Sequence, residues 1–164
     1  MLTSWHELPV EEQRLFNPAF LSLLLRQTAE GFAETSGLSL PLPLAMLAPG
    51  VILHRASREA LPFTTRTDLL VWLQENPDVR FLAASRARRL APFVKSAILY
   101  GTRAEALIVD RQGLRVGPSK ISASGIARVQ GEAGACLNRA AHLGKWMGRN
   151  GSTIYQMSLW GIAP

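Results

Sequence analysis

Residues His54–Gly101 read HRASREALPFTTRTDLLVWLQENPDVRFLAASRARRLAPFVKSAILYG, and the fold turns on where this stretch is divided into elements. Thr65-x-x-Asp68 has the form of a capping box with Asp in place of Glu. Leu69, Leu70, Trp72 and Leu73 then supply the apolar face of a short helix ending near Glu75. Asn76-Pro77 starts the next one, because Asn caps well and Pro fits the first helical position. On it Val79, Leu82, Ala83, Ala87 and Leu90 share one arc, with Arg86 inside that arc and Arg88 and Arg89 pointing elsewhere. Pro92 predicts an end or a kink, followed by a further helix carrying Phe93, Val94, Ala97, Ile98 and Leu99 to Gly101. Two short strand-like runs, Ala106 to Val109 and Leu114 to Val116, flank Asp110-Arg111-Gln112-Gly113 and predict a hairpin. Coupled helices followed by a hairpin trace the outline of a winged-helix module.

Outward from this centre the chain is apolar on one side and mixed on the other. Glu7 to Phe16 predicts a short opening helix, and Asn17-Pro18 starts a helix to about Thr35 that stops at Gly37. Leu38 to Leu53, LSLPLPLAMLAPGVIL, is the most apolar segment; Pro43 can open a helix and Pro49-Gly50 should break or bend it. After Gly117-Pro118 a helix is expected from about Glu132 to Met147, then a turn at 148–151. Thr153 to Ile162 alternates as a last strand that could make a three-stranded sheet with the hairpin. The expectation is an α+β, mainly helical single domain of residues 1–164. It has an apolar helical part (1–53), a winged-helix-like module (54–118) with helices over 65–101 and a hairpin over 106–116, and a C-terminal helix and strand (119–164).

The net charge of +6 is split unevenly. Through Asp78 there are five Lys or Arg against nine Asp or Glu; from Val79 onward, thirteen against three. A basic back half points to a polyanion or an acidic partner, and a solvated basic face is the plain alternative. Hydrophobic residues make up 48% of the chain, high enough that part of the surface could belong to a partner or a second copy. The single cysteine, Cys136, cannot form an internal disulfide, the N-terminus lacks the order of a signal peptide, and no apolar run reaches spanning length. The expectation is a cytoplasmic protein with no membrane association.

A search for catalytic chemistry leaves little. His6, His54 and His142 are scattered without ligand spacing, Cys136 lies among small residues of a helix, and no serine has a nucleophile context. The glycines between 125 and 151 build no phosphate loop. The expectation is a protein that is not an enzyme, with no cofactor and no metal. What remains is Arg80, Arg88, Arg89, Lys95 and Arg103 on and after the second central helix, with Arg111 and Arg115 on the hairpin. These residue types contact phosphates or acidic partners, and the helix offers Ser85 and little else for reading bases, so duplex DNA without sequence specificity is the nucleic acid expected. Arg86, set among apolar neighbours, needs a carboxylate or carbonyl partner, for which Asp68 or a glutamate of the front half could serve, and is expected at an interface or in a buried ion pair.

A set of motifs carries a family resemblance. It runs through Asn17-Pro18-Ala19-Phe20, Leu23-Leu24-Leu25, Leu40-Pro41-Leu42-Pro43-Leu44, His54 and Arg58-Glu59-x-Leu61-Pro62. It continues through Arg66-Thr67, Trp72-Leu73, Asn76-Pro77, Arg86-Ala87-Arg88, Pro92-Phe93, Leu143-Gly144-Lys145-Trp146, Thr153-Ile154-Tyr155 and Gly161-Ile162. In this order the chain resembles the middle component of bacterial three-component ABC-ATPase systems. The resemblance implies a small non-catalytic subunit encoded beside an SMC-like ABC ATPase of the chromosome-maintenance type and a third component, acting in defence against phage, plasmids or other mobile DNA. It supplies no catalytic or binding residues. The alternative is a stand-alone winged-helix DNA-binding regulator.

Overall fold

The computed structural model describes residues 9–163, so the expected helix start at Glu7 lies outside the described residues. The chain is mainly helical with one small hairpin. Its elements are α1 (Val10–Leu15), α2 (Pro18–Ser36), α3 (Leu42–Ile52), α4 (Arg55–Ala60), α5 (Leu69–Glu75), α6 (Pro77–Arg103), β1 (Leu107–Val109), β2 (Leu114–Val116), α7 (Ala123–Ala127), α8 (Gly131–Arg149) and α9 (Thr153–Leu159). No helix among the described residues is long and apolar enough to cross a membrane.

The helix signals of α2 hold. Asn17 Oδ1 accepts the Ala19 amide at 2.8 Å. At the other end Gly37 takes the left-handed conformation at φ 71°, which a side chain would resist. The buried faces of α2 and α8 meet along their length. Gly31 of α2 lies so near the Ala141 carbonyl, and Gly144 of α8 so near the Thr28 carbonyl, that a Cβ at either would overlap backbone. Thr35 Oγ1 donates across the same contact to the Lys145 carbonyl at 3.0 Å. Around this crossing Leu21, Leu24, Leu25, Cys136, Leu137, Ala140 and Leu143 are buried.

The prolines behave differently from the expectation. α3 does not break at Pro49-Gly50 but continues to Ile52. Leu44, Ala45, Leu47, Ala48, Val51 and Ile52 are all buried, and that burial outweighs the one helical hydrogen bond a proline removes. Likewise Pro92 does not divide the central stretch: α6 is one helix of 27 residues, about 40 Å long. Its buried stripe, Ala83, Leu90, Val94, Ala97 and Gly101, runs past Pro92 against α2 and α3. Pro92 itself lies off that stripe, and it supplies no amide to the Arg88 carbonyl. Leu82, expected on the apolar arc, is exposed instead.

Asp68 also differs from its expected role. It is not the third residue of a capping box begun by Thr65 but the N-cap of α5, accepting the Val71 amide at 3.1 Å. The loop 61–68 before it is tied to α8. Arg139 Nη2 donates to the Leu61 carbonyl at 3.1 Å, His142 Nε2 to Pro62 at 2.6 Å and Trp146 Nε1 to Thr67 at 2.7 Å. Trp72 meets Trp146 edge-on at 5.0 Å between ring centroids and Trp160 at 6.1 Å.

The hairpin forms as expected, antiparallel, with Leu107, Ile108 and Val109 opposite Val116, Arg115 and Leu114. Asp110 Oδ1 accepts the amides of Gln112 and Gly113 at 2.8 and 2.9 Å, which fixes the turn. The expected third strand does not exist. Thr153–Leu159 is helix α9: Ser152 Oγ caps it by accepting the Tyr155 amide at 3.3 Å, and Gln156, Met157 and Trp160 are buried at helical spacing. The place beside β2 is taken by Leu40, which exchanges two backbone hydrogen bonds of 2.8 Å with Leu114. Leu107 and Leu114 are in the core, so the hairpin is packed down rather than free. Arg26, a buried arginine of α2, pins it further by donating from Nη1 to the Ala106 and Gly117 carbonyls at 3.0 and 3.2 Å.

The α2–α8 crossing yields a direct test. Gly144→Val forces two backbones apart and should destabilise the protein by about 3 kcal/mol or more. Gly37→Asn, in open space with a conformation Asn tolerates, should cost well under about 1 kcal/mol. Urea unfolding of both variants beside the native chain measures the difference.

Candidate functional site

α6 is the element that carries the sequence-predicted basic residues, and its helical period sorts them. Opposite the buried stripe, Phe81, Ser85, Arg88, Arg89, Lys95, Leu99 and Arg103 are exposed. After Asp78 in the first turn, α6 has no acidic residue. The exposed face is therefore a cationic ridge with apolar side chains set into it. Lys95 makes no hydrogen bond or ion pair among the described residues, and Arg88 makes only a long bond of 3.4 Å to the Ala84 carbonyl of its own helix. Arg80 is exposed but engaged: its Nε donates to the Leu159 carbonyl at 2.7 Å, tying α6 to the end of α9. Arg111 and Arg115 sit on the hairpin that contacts α6 at its C-terminal end, where Arg103 lies. Arg115 faces Asp110 at a loose 3.7 Å. The hydroxyl of Ser39, with the Gln112 amide, holds the Asp110 carboxyl below its usual range, so that charge is fixed inside the turn.

Arg86 stands apart from the ridge. It lies between α6 and α4, half-buried, and donates from Nη1 to Ser57 Oγ at 2.9 Å. Its partner is a hydroxyl, where a carboxylate or carbonyl was expected. Ser57 Oγ is in turn 2.9 Å from His54 Nδ1, which also accepts the Ser57 amide at 3.2 Å as the N-cap of α4. A cavity of about 250 Å³ opens beside this chain, lined by His54, Ser57, Leu82 and Arg86, with Glu75 and Asp78. A Ser–His pair in a cavity invites a catalytic reading. Yet Ser57 is buried, and its hydroxyl lies between Arg86 Nη1 and His54 Nδ1, which ties the start of α4 to α6. Among the described residues no group of three or more His, Cys, Asp or Glu is placed to hold a metal.

A buried arginine with a carboxylate partner lies elsewhere, its Glu132 partner being exposed. Arg58, only 3% exposed, donates from Nη2 to Glu132 Oε1 at 2.7 Å and from Nη1 to the Ile52 carbonyl at 2.9 Å and Cys136 Sγ at 3.2 Å. It locks α4, α3 and α8 together, and burial pushes the Cys136 thiol up. Neither Arg26 nor Arg58, the latter quoted only within a family motif, was expected from sequence to be buried. The one signal available for the loop contacts was the spacing of Arg139, His142, Trp146 and Asn150 along a single stripe of α8.

The two described histidines make stability depend on pH. Burial and the nearby Arg86 and Arg58 lower the His54 pKa from 6.5, and burial, with Arg139 and Lys145, lowers that of His142 despite its bond to Pro62. Both bind protons less readily folded than unfolded. Their contribution is thus full above the unfolded value of 6.5 and is lost as pH falls through it toward the lower folded values. Melting temperature should drop between pH 7.5 and pH 5, and a His54→Asn/His142→Gln variant, which keeps a cap and a donor, should drop less over the same range.

Neither the curated proteins nor the solved structures contain a match to this chain. A scan against protein-family models does find one, described as the ABC-three component (ABC-3C) system Middle Component 3, covering residues 5–164. With nearly the whole length matched, the chain belongs to that family of middle components of ABC-three component systems.

Proposed function

We propose that this chain is a non-catalytic accessory subunit that joins an SMC-like ABC ATPase to the third component of its system and rests the basic face of α6 on duplex DNA. The system would act against phage, plasmid or other mobile DNA. The observation that carries the DNA part is the exposed face of α6, with Arg88, Arg89, Lys95 and Arg103 on one side of a rod about 40 Å long and no acid after Asp78. Family membership supports the partner components. The face holds Ser85 but no Asn or Gln, which favours phosphate contact over base reading. The order α5, α6, hairpin supports a wing-like role for the hairpin, with Arg111 and Arg115 as flanking phosphate contacts.

Replacing Arg88, Arg89 and Arg103 together by Ala should leave the melting temperature nearly unchanged, because all three side chains are exposed. Duplex affinity should fall at low salt, and the slope of log K against log salt should shrink by about 3 if each residue meets one phosphate. An unaltered slope overturns the DNA contact. Protection of one defined DNA sequence by the isolated chain would favour the stand-alone regulator instead.

A further inference from the structure

The loop 61–68 pairs rigidity with an oddly placed side chain. One stripe of α8 holds both its ends, through Arg139 and His142 at Leu61 and Pro62, and through Trp146 at Thr67. Asn150 Oδ1 completes the series by accepting the Leu69 amide at 3.0 Å. Trp72 Nε1 fastens the entry, donating to the Ala60 carbonyl at 2.9 Å. Leu61 and Pro62 are buried, yet the next residue, Phe63, is 100% exposed. Partly exposed aliphatic side chains are ordinary on a protein surface. A phenyl ring wholly in water adds nothing to folding, and here five side chains hold the backbone that presents it. The loop is also positive: Arg66 is its one charged residue between 61 and 67, and the Asp68 carboxylate is occupied at the N-terminus of α5.

We propose that Phe63 is the anchor by which this subunit docks on a protein component of its own system, entering an apolar pocket with an acidic rim that Arg66 meets. This rests on the accessory-subunit reading and locates its contact away from the basic face of α6. A loop backbone already fixed in position loses little freedom on binding, and buried aromatic anchors carry a large share of interface energy. His142 acts as a positioning residue through its bond to the Pro62 carbonyl.

The test uses the full chain co-expressed with the two components encoded beside it, followed by titration of the purified component that associates. Phe63→Ala should weaken association by at least roughly tenfold, the range of an aromatic hot spot. Its melting temperature and duplex affinity should match the native chain. His142→Ala should weaken association several-fold in the native background and not at all when Phe63 is already Ala, the coupling expected of a residue that acts through Phe63. Native affinity in the Phe63→Ala variant overturns the anchor while leaving the accessory reading standing. If the native chain binds neither component, the reading and the anchor fall together. Co-sedimentation with phosphatidylcholine vesicles that Phe63→Ala abolishes, with the protein complex intact, would assign the ring to a lipid surface and equally overturn the proposal.

Discussion

The structure depends on the contact where α2 and α8 meet backbone to backbone. Gly31 and Gly144 remove the two side chains that would hold the helices apart, and the larger apolar residues of both then close around the crossing. What α2 and α8 do with their other faces follows. α2 turns Arg26 toward the ends of the hairpin, and α8 turns a stripe of donors toward the loop between α4 and α5. Two outward features, the packed hairpin and the tied loop, are therefore set by one contact between small residues.

Charge is handled in two distinct ways. Inside, Arg26 and Arg58 are satisfied chiefly by backbone carbonyls, with Glu132 as the one carboxylate on Arg58. A guanidinium with five donors suits such sites, since it can bond several carbonyls from separate elements at once. Outside, the arginines of α6 are left in water on a face with few partners. Arg86 lies between these regimes, with a hydroxyl for a partner and the cavity at its side. Burial and the adjacent Arg89 lower its affinity for its proton.

Much of the fold was legible from local chemistry. Asn17-Pro18, Gly37 and the Asp110–Gly113 turn each act through atoms within a few residues, and each is found where the sequence places it. The basic face was legible for a related reason, because helical period alone separates Arg88 and Arg89 from the buried stripe. Proline punctuation misled, since a helix interrupted at Pro49 or Pro92 loses one local bond but keeps a long buried face that only the tertiary structure reveals. Residues 153–159 misled because alternating β-branched and aromatic residues resemble a strand, while the Ser152 cap and three buried positions favour a helix. Arg58 and its Glu132 partner are 74 residues apart, and Arg26 is 80 from Ala106, so no local pattern could join them. The exposure of Phe63 has the same origin: it is decided by what α8 does to the loop, not by the residues beside it.

The same crossing has a consequence for how the chain is made. α2 and α8 begin at Pro18 and Gly131, more than a hundred residues apart, so the largest helical contact is also among the most distant in sequence. Helical proteins usually fold through near neighbours and fold fast; this one must close a long loop first. During synthesis α2 emerges early with Leu21, Leu24, Leu25 and Phe32 facing its missing partner, and α8 follows only when most of the chain has been translated. For that interval the face of α2 that meets α8 lacks its partner, while α3, α6 and the hairpin are already available to pack on α2. The close-packed glycines that make the finished structure tight thus make the nascent one dependent on its last third.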